Sequence, residues 1–260
     1  MRLGLFLLTL LLFWLPIAVP IYLLVDDPNL VTILTMAILF AEFLFLLRCW
    51  GKKVDKNPHV FASYGLGDSK KNALNLITGL SIGLLITLSL FFLKGLLGWL
   101  EFQKPQVSIV RIIFEGLLSA LGIALAEELV FRGWLLNELE RDYSLKTALW
   151  LDAVIFAVSH FLKPLSEIIR TLIQFPALVL LGLTLVWARR SQRGRLGLPI
   201  GLHAGLVCGY YIISVGQLVQ YTDQVSPWIT GVDGNPIAGC MGMIFLGVLA
   251  LWMQKLSVSR

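Results

Sequence analysis

Val107–Leu139 reads VSIVRIIFEGLLSALGIALAEELVFRGWLLNEL, thirty-three residues dominated by apolar side chains and free of proline. As one continuous α-helix it would extend about 50 Å, well beyond a hydrocarbon core of about 30 Å. Such a segment must tilt, protrude or break. Arg111 and Glu115, at i and i+4, suit an interfacial pair near its start, and Gly122 offers a bend before the more polar second half.

The rest of the chain has the same character. Of 260 residues, 57% are hydrophobic and 14% charged, and the mean hydropathy is +0.82. These values exclude a soluble globule and a disordered chain. Cys49, Cys208 and Cys240 lie in or beside apolar stretches without a CxxC pair, so no disulfide framework is expected. The net charge of +5 comes from clusters between apolar runs, which argues against a nucleic-acid binder.

Runs of about 17 to 25 apolar residues mark membrane helices. Eight are expected: Leu3–Val25, Leu30–Leu47, Ala73–Trp99, Val107–Leu139, Leu145–Leu162, Leu172–Ala188, Leu198–Val219 and Ile237–Met253. The first is too long for a signal-peptide core and has no small-residue cleavage site before Asp26-Asp27-Pro28, so it reads as a membrane helix. No β-barrel alternation is present. The expectation is an all-α, multi-pass integral membrane bundle forming a single domain, 1–260.

Lys and Arg placement orients it, because cytoplasmic loops retain positive charge. With both termini inside, fifteen fall on the cytoplasmic side, most of them in Arg48–Lys71 and Arg189–Arg195, against Lys104, Lys163 and Arg170 outside.

Ionisable residues inside an apolar run are costly, and Glu127, Glu128 and Arg132 sit in one. Glu128 and Arg132, four residues apart, share a helix face and can neutralise each other. Glu127 points about 100° away and is left without that partner. A carboxylate so placed suits a general base that takes a proton from water. An ion-pair network that only locks helices together would also account for both glutamates. Phe156 and His160 share a face at the end of the fifth run, and His203 opens the seventh. Two histidines with a carboxylate pair can hold a water or a metal. His59, in the basic loop, reads as solvated.

Glu127-Glu128-x-x-x-Arg132, Phe156-x-x-x-His160 and His203 within Leu198-Pro-Ile-Gly-Leu-His-Ala-Gly205 together resemble the three motifs of the CAAX-protease and bacteriocin-processing family, intramembrane proteases that include the Rce1-type prenyl proteases. The resemblance covers about Leu121–Gly209, with a family-like core of about 107–219. It implies hydrolysis of a peptide bond in a membrane-associated substrate, prenylated or otherwise lipidated. Glu127 with His160 would activate water, Arg132 would hold Glu128, Phe156 would support the site, and His203 would stabilise the oxyanion. The implied partners are membrane lipid and the substrate, not nucleic acid. No cofactor is implied; were zinc present, Glu127, His160 and His203 would be its ligands.

The family pattern places Asn or Asp one turn after this histidine, where this chain has Val207. Losing one oxyanion donor costs about 100- to 1000-fold in rate, so a non-catalytic scaffold or immunity-type protein of the same fold stands as the alternative.

Other signatures carry less. Gly65-Leu-Gly-Asp68 with Asp152 resembles an intramembrane aspartyl dyad, but Asp68 beside Ser69 reads as a helix cap. Gly79-Leu-Ser-Ile-Gly83 matches GxSxG inside an apolar helix, not at the strand-to-helix turn that motif requires. Gly197, Gly201, Gly205 and Gly209 form a small-residue packing stripe opposite His203, with Tyr210 on the histidine's face as a cavity wall. Lys94 is expected to snorkel to the interface, whereas Glu42 needs a buried partner or cavity. Full spans would put His160 and His203 near opposite surfaces. The fifth helix must therefore stop deep at Lys163-Pro164, or the seventh must begin below the surface.

Overall fold

Asp27 and Pro28 turn the chain after its first helix. In the computed structural model, which describes residues 2–259, the Asp27 side chain accepts from the Asn29 and Leu30 amides at 2.8 and 3.1 Å, and Pro28 opens the next helix. Helices α1 (Arg2–Leu24) and α2 (Pro28–Lys53) pair through Phe6, whose ring lies 5.9 Å from Phe43 and 5.5 Å from Trp50. They make up most of the first of two compact units, Met1–Ser63 and Tyr64–Arg260. In this first unit His59 is exposed, and Oε2 of Glu42 is buried without a hydrogen-bond partner.

The second unit runs α3 (Ser69–Leu96), β1 (Leu100–Phe102), α4 (Ile109–Glu128), a π-helical stretch Leu129–Leu135, α5 (Leu136–Asp142), α6 (Leu145–Ser159), α7 (Leu165–Thr171), α8 (Phe175–Ser191), α9 (Gly197–Val215), β2 (Val219–Tyr221), α10 (Pro227–Thr230) and α11 (Cys240–Val258). Phe156, Leu181, Leu185, Leu202 and Leu249 form a buried core between α6, α8, α9 and α11. The chain is a multi-pass membrane helical bundle.

Seven helical stretches among the described residues, not eight, are long and apolar enough to cross a bilayer. The expected fifth span fails on length: α6 has 15 residues, about 22 Å, and stops at Ser159 before the Lys163-Pro164 break. That early stop is one of the two remedies the histidines required. The long fourth segment departs from regular α-helix at Leu129–Leu135, directly after the glutamates, and not at Gly122. Gly122 has open space around it and needs no special geometry. Such π-helical stretches arise where a site imposes its own geometry on a helix.

The glycine stripe of α9 packs on α3, and its partners are Gly79 and Gly83, the apparent GxSxG. A Cβ on Gly83 would stand 2.5 Å from the Leu202 oxygen. One on Gly201 would strike the Leu76 oxygen and stand 2.7 Å from the Leu80 nitrogen. Lipid tails supply no hydrophobic drive between helices, so backbone proximity of this kind carries the association.

Hydrogen bonds sort the second unit into two ends. At one, the Gly197 amide donates to Asn72 Oδ1 at 2.7 Å, Arg189 to Asn137 Oδ1 at 2.7 Å, and Arg190 to Glu140 at 2.7 Å and the Leu145 oxygen at 2.8 Å. This end gathers Lys70, Lys71, Arg141, Lys146, Arg189, Arg190, Arg193 and Arg195. At the other, β1 and β2 form a two-stranded antiparallel ribbon with Glu101 opposite Gln220, and Arg170 pairs with Asp233. Lys94 belongs to this ribbon end, and it does not snorkel. Its side chain is fully buried, because the chain after β2 folds over the end of α3: Nζ donates to the Thr230 oxygen at 2.5 Å and lies 4.8 Å from the Phe91 ring centre.

Gly201→Leu should therefore force α3 and α9 apart and cost at least about 1–3 kcal/mol, whereas Gly122→Leu should cost little. Melting midpoints of the detergent-solubilised proteins test this, and equal midpoints would refute the glycine contact.

Candidate active site

Glu128 and Arg132 have no exposed surface. Arg132 comes from the π-helical stretch, and each of its nitrogens meets a different element. Nη1 reaches Glu128 Oε1 at 3.2 Å, Nη2 donates to the Gly182 oxygen of α8 at 3.3 Å, and Nε lies 3.4 Å from Asp152 Oδ2 of α6. The Asp152 contact is one of charge without hydrogen-bond alignment. The guanidinium also sits 4.0 Å over the Phe156 ring. At that glycine α8 packs so closely on α6 that a Cβ on Gly182 would stand 2.8 Å from the Ala153 Cα.

Phe156 is the post between the two histidines, edge-on to His160 at 4.7 Å and to His203 at 6.2 Å between ring centres. His160 caps the end of α6, and its Nδ1 lies 2.8 Å from the Phe156 oxygen. A carbonyl only accepts, so this nitrogen carries a hydrogen. His203, two turns into α9, has Nδ1 2.9 Å from Glu128 Oε1. Glu128, paired to Arg132, is the acceptor there, so His203 also spends its Nδ1 hydrogen inward.

Both rings then present Nε2 to Glu127. The separations are 4.0 Å from His160 and 3.9 Å from His203 to the same Oε2. That oxygen is buried and has no hydrogen-bond partner, although the Glu127 side chain as a whole is 30% exposed. Three acceptor atoms face one spot. A molecule with two hydrogens to donate fits it, and water is the smallest.

The structure thus brings together Glu127, Glu128, Arg132, Phe156, His160 and His203. It separates the aspartyl pair, since Asp68 bonds Lys71 at 2.9 Å while Asp152 faces Arg132. Asp68 stands at the N-cap of α3 without a side-chain cap bond. Among the described residues no group of three or more His, Cys, Asp or Glu is placed to hold a metal ion.

A cavity of about 300 Å³ opens beside the histidines. Val207 and Tyr210 line it one and two turns beyond His203, with apolar walls from Leu178 and Leu206. Its carboxamides are Gln174, at the start of α8, and Asn235, whose Oδ1 accepts from the Ile237 amide at 3.2 Å.

Sequence reasoning missed three features: Asp152 as the second counter-charge of Arg132, the bond from His203 to Glu128, and the two carboxamides. Only the first had a signal. Asp152, Phe156 and His160 repeat every four residues, so they line one face of α6. The other features depend on tertiary placement.

Residues 109–208 match the family model described as Rce1-like, type II CAAX prenyl endopeptidase Rce1-like. The segment runs from the start of α4 into α9 and includes all six motif residues, so over that segment the chain is similar to the family that the motifs resemble. Neither the curated proteins nor the solved structures searched gave a match.

Removing the hub should unfold the site. Arg132→Met leaves Glu128 and Asp152 buried without counter-charge, a loss of about 3–5 kcal/mol. An unaltered thermal midpoint would show that the cluster contributes nothing to stability.

Proposed function

We propose that this chain, with its Rce1-like core, is an intramembrane endopeptidase in which Glu127 and His160 activate a water to cleave a membrane-associated peptide, prenylated or otherwise lipidated. The observation that carries the reading is the convergence of both Nε2 atoms on the unpartnered Glu127 Oε2. A water there gives one hydrogen to Glu127 and one to His160, which leaves its lone pair free to attack.

As the oxygen bonds to the scissile carbonyl carbon, Glu127 takes a proton from it. The carbonyl π electrons move onto its oxygen. When the tetrahedral intermediate collapses, the C–N bond breaks and the Glu127 proton passes to the departing amine. The products are a carboxylic acid and an amine, and the acid's proton then passes to the amine to leave a carboxylate and an ammonium. His203 meets the oxyanion through Nε2, and with Nδ1–H held by Glu128 it can donate there only as imidazolium, which takes its second hydrogen from solution before the attack. Glu128 is placed to stabilise that cation, as the aspartate of a serine-protease triad stabilises its histidine. The reading is metal-free, so turnover should withstand chelators.

Val207 supports a second reading, a non-catalytic scaffold of the same fold, because it offers no hydrogen where the family pattern has a donor. Glu127→Gln should abolish cleavage and keep the melting midpoint, since an amide cannot serve as the base. His203→Ala should remove nearly all turnover, whereas Val207→Asn should raise it, with the gain limited by the roughly 1–3 kcal/mol cost of burying an unpaired amide. Initial rates per folded protein on membrane-peptide substrates check all three. Full turnover by Glu127→Gln would end the water-activation reading, and no cleavage by either wild type or Val207→Asn across a broad panel would favour the scaffold.

A further inference from the structure

Most of the catalytic cavity lies on one side of the histidines. Beyond His203 its walls are Ile86, Thr87 and Leu90 in the second half of α3, Val207 and Tyr210 further along α9, Gln174 at the start of α8 and Asn235 ahead of α11. The basic segments lie at the opposite end of each of those helices: Lys70 and Lys71 at the start of α3, Arg189 and Arg190 at the end of α8, Arg193 and Arg195 before α9, and Lys255 in the last turn of α11. The cavity therefore runs from the histidines towards the ribbon end.

A second hollow, about 530 Å³, lies at that end, and Tyr210 lines both. Gln103, Gln106, Gln217 and Gln220 line it, beside the β1–β2 ribbon. Its one acid, Asp233, is paired with Arg170. Carboxamides both donate and accept without adding charge, which matches the alternating amides and carbonyls of an extended peptide.

Lys and Arg mark the cytoplasmic side. In the second unit nine described ones (Lys70, Lys71, Arg141, Lys146, Arg189, Arg190, Arg193, Arg195 and Lys255) lie at the basic end, against Lys94, Lys104, Arg111, Lys163 and Arg170 at the ribbon end. We infer that the site is served from the non-cytoplasmic face, by an extended, uncharged peptide segment that lies in the glutamine-lined vestibule and passes Tyr210 to reach Glu127. The inference rests on the protease reading for what happens to that segment, but the route of access stands apart from it and has a separate test.

In a variant with Cys49, Cys208 and Cys240 replaced by serine, single cysteines report the two ends. Gln217→Cys stands in the vestibule, Asn235→Cys at the cavity and Lys146→Cys at the basic end. Intact cells are treated with a membrane-impermeant maleimide. The first two should be labelled directly, and Lys146→Cys should lose all labelling unless the cells are permeabilised. Gln103→Cys gives a second vestibule position should Gln217→Cys fail to accumulate. Vestibule cysteines that react only after permeabilisation, or Lys146→Cys reacting in intact cells, would overturn the inference whatever the protein cleaves. Proteoliposomes of uniform orientation separate the two readings. Peptide cleaved only when supplied on the Lys146 side would overturn the access route and leave the protease standing. Expected labelling with no cleavage from either side would support the route and count against the protease.

Discussion

A guanidinium with no exposed surface, in a protein made for lipid, is the constraint to which the other groups conform. Isolated, such a charge would not be tolerated. Arg132 is tolerated because α4, α6 and α8 each bring it an oxygen, from Glu128, Asp152 and Gly182, and because Phe156 covers its face. Breaking one buried partner costs more than the pair gains, so the three helices are fixed against one another by what would be lost. The same network extends to a fourth helix: Glu128 holds His203 of α9 through Nδ1. Stability and ring orientation are thus set by the same carboxylate.

The α3–α9 contact complements this in a different way. It uses no charge, only the absence of side chains at Gly79, Gly83, Gly201 and Gly205. The close approach holds His203 at a set depth, while the ionic cluster sets its rotation. A helix held by either alone would leave the 3.9 Å relation between Nε2 and Glu127 free to drift.

Much of this was legible in the sequence where one helix carries the information. The i, i+4 relation gave the Glu128–Arg132 pair and left Glu127 outside it, and the four-residue spacing of glycines gave the packing face of α9. The span count failed at α6, because an apolar run continues through His160 to Leu162 while the helix stops at Ser159. The bend was sought at Gly122 on backbone freedom, but it is the ionic cluster next to Leu129–Leu135 that coincides with the departure from α-helix. Lys94 was misread because its cover comes from a segment 136 residues later. Gln174 and Asn235 gave no signal, since a lone carboxamide at a helix start or turn looks like ordinary capping.

Because both histidines send Nδ1 inward, the resting site presents acceptors and almost no hydrogens. Such a surface discriminates among small molecules by hydrogen supply. A carboxylate or a ketone entering it meets lone pairs with lone pairs, whereas an amidine or a hydrated carbonyl, with N–H or O–H groups diverging from one centre, can satisfy Glu127, His160 and His203 at once. Compounds of that kind, carried on an uncharged peptide, are the natural chemical probes of this protein.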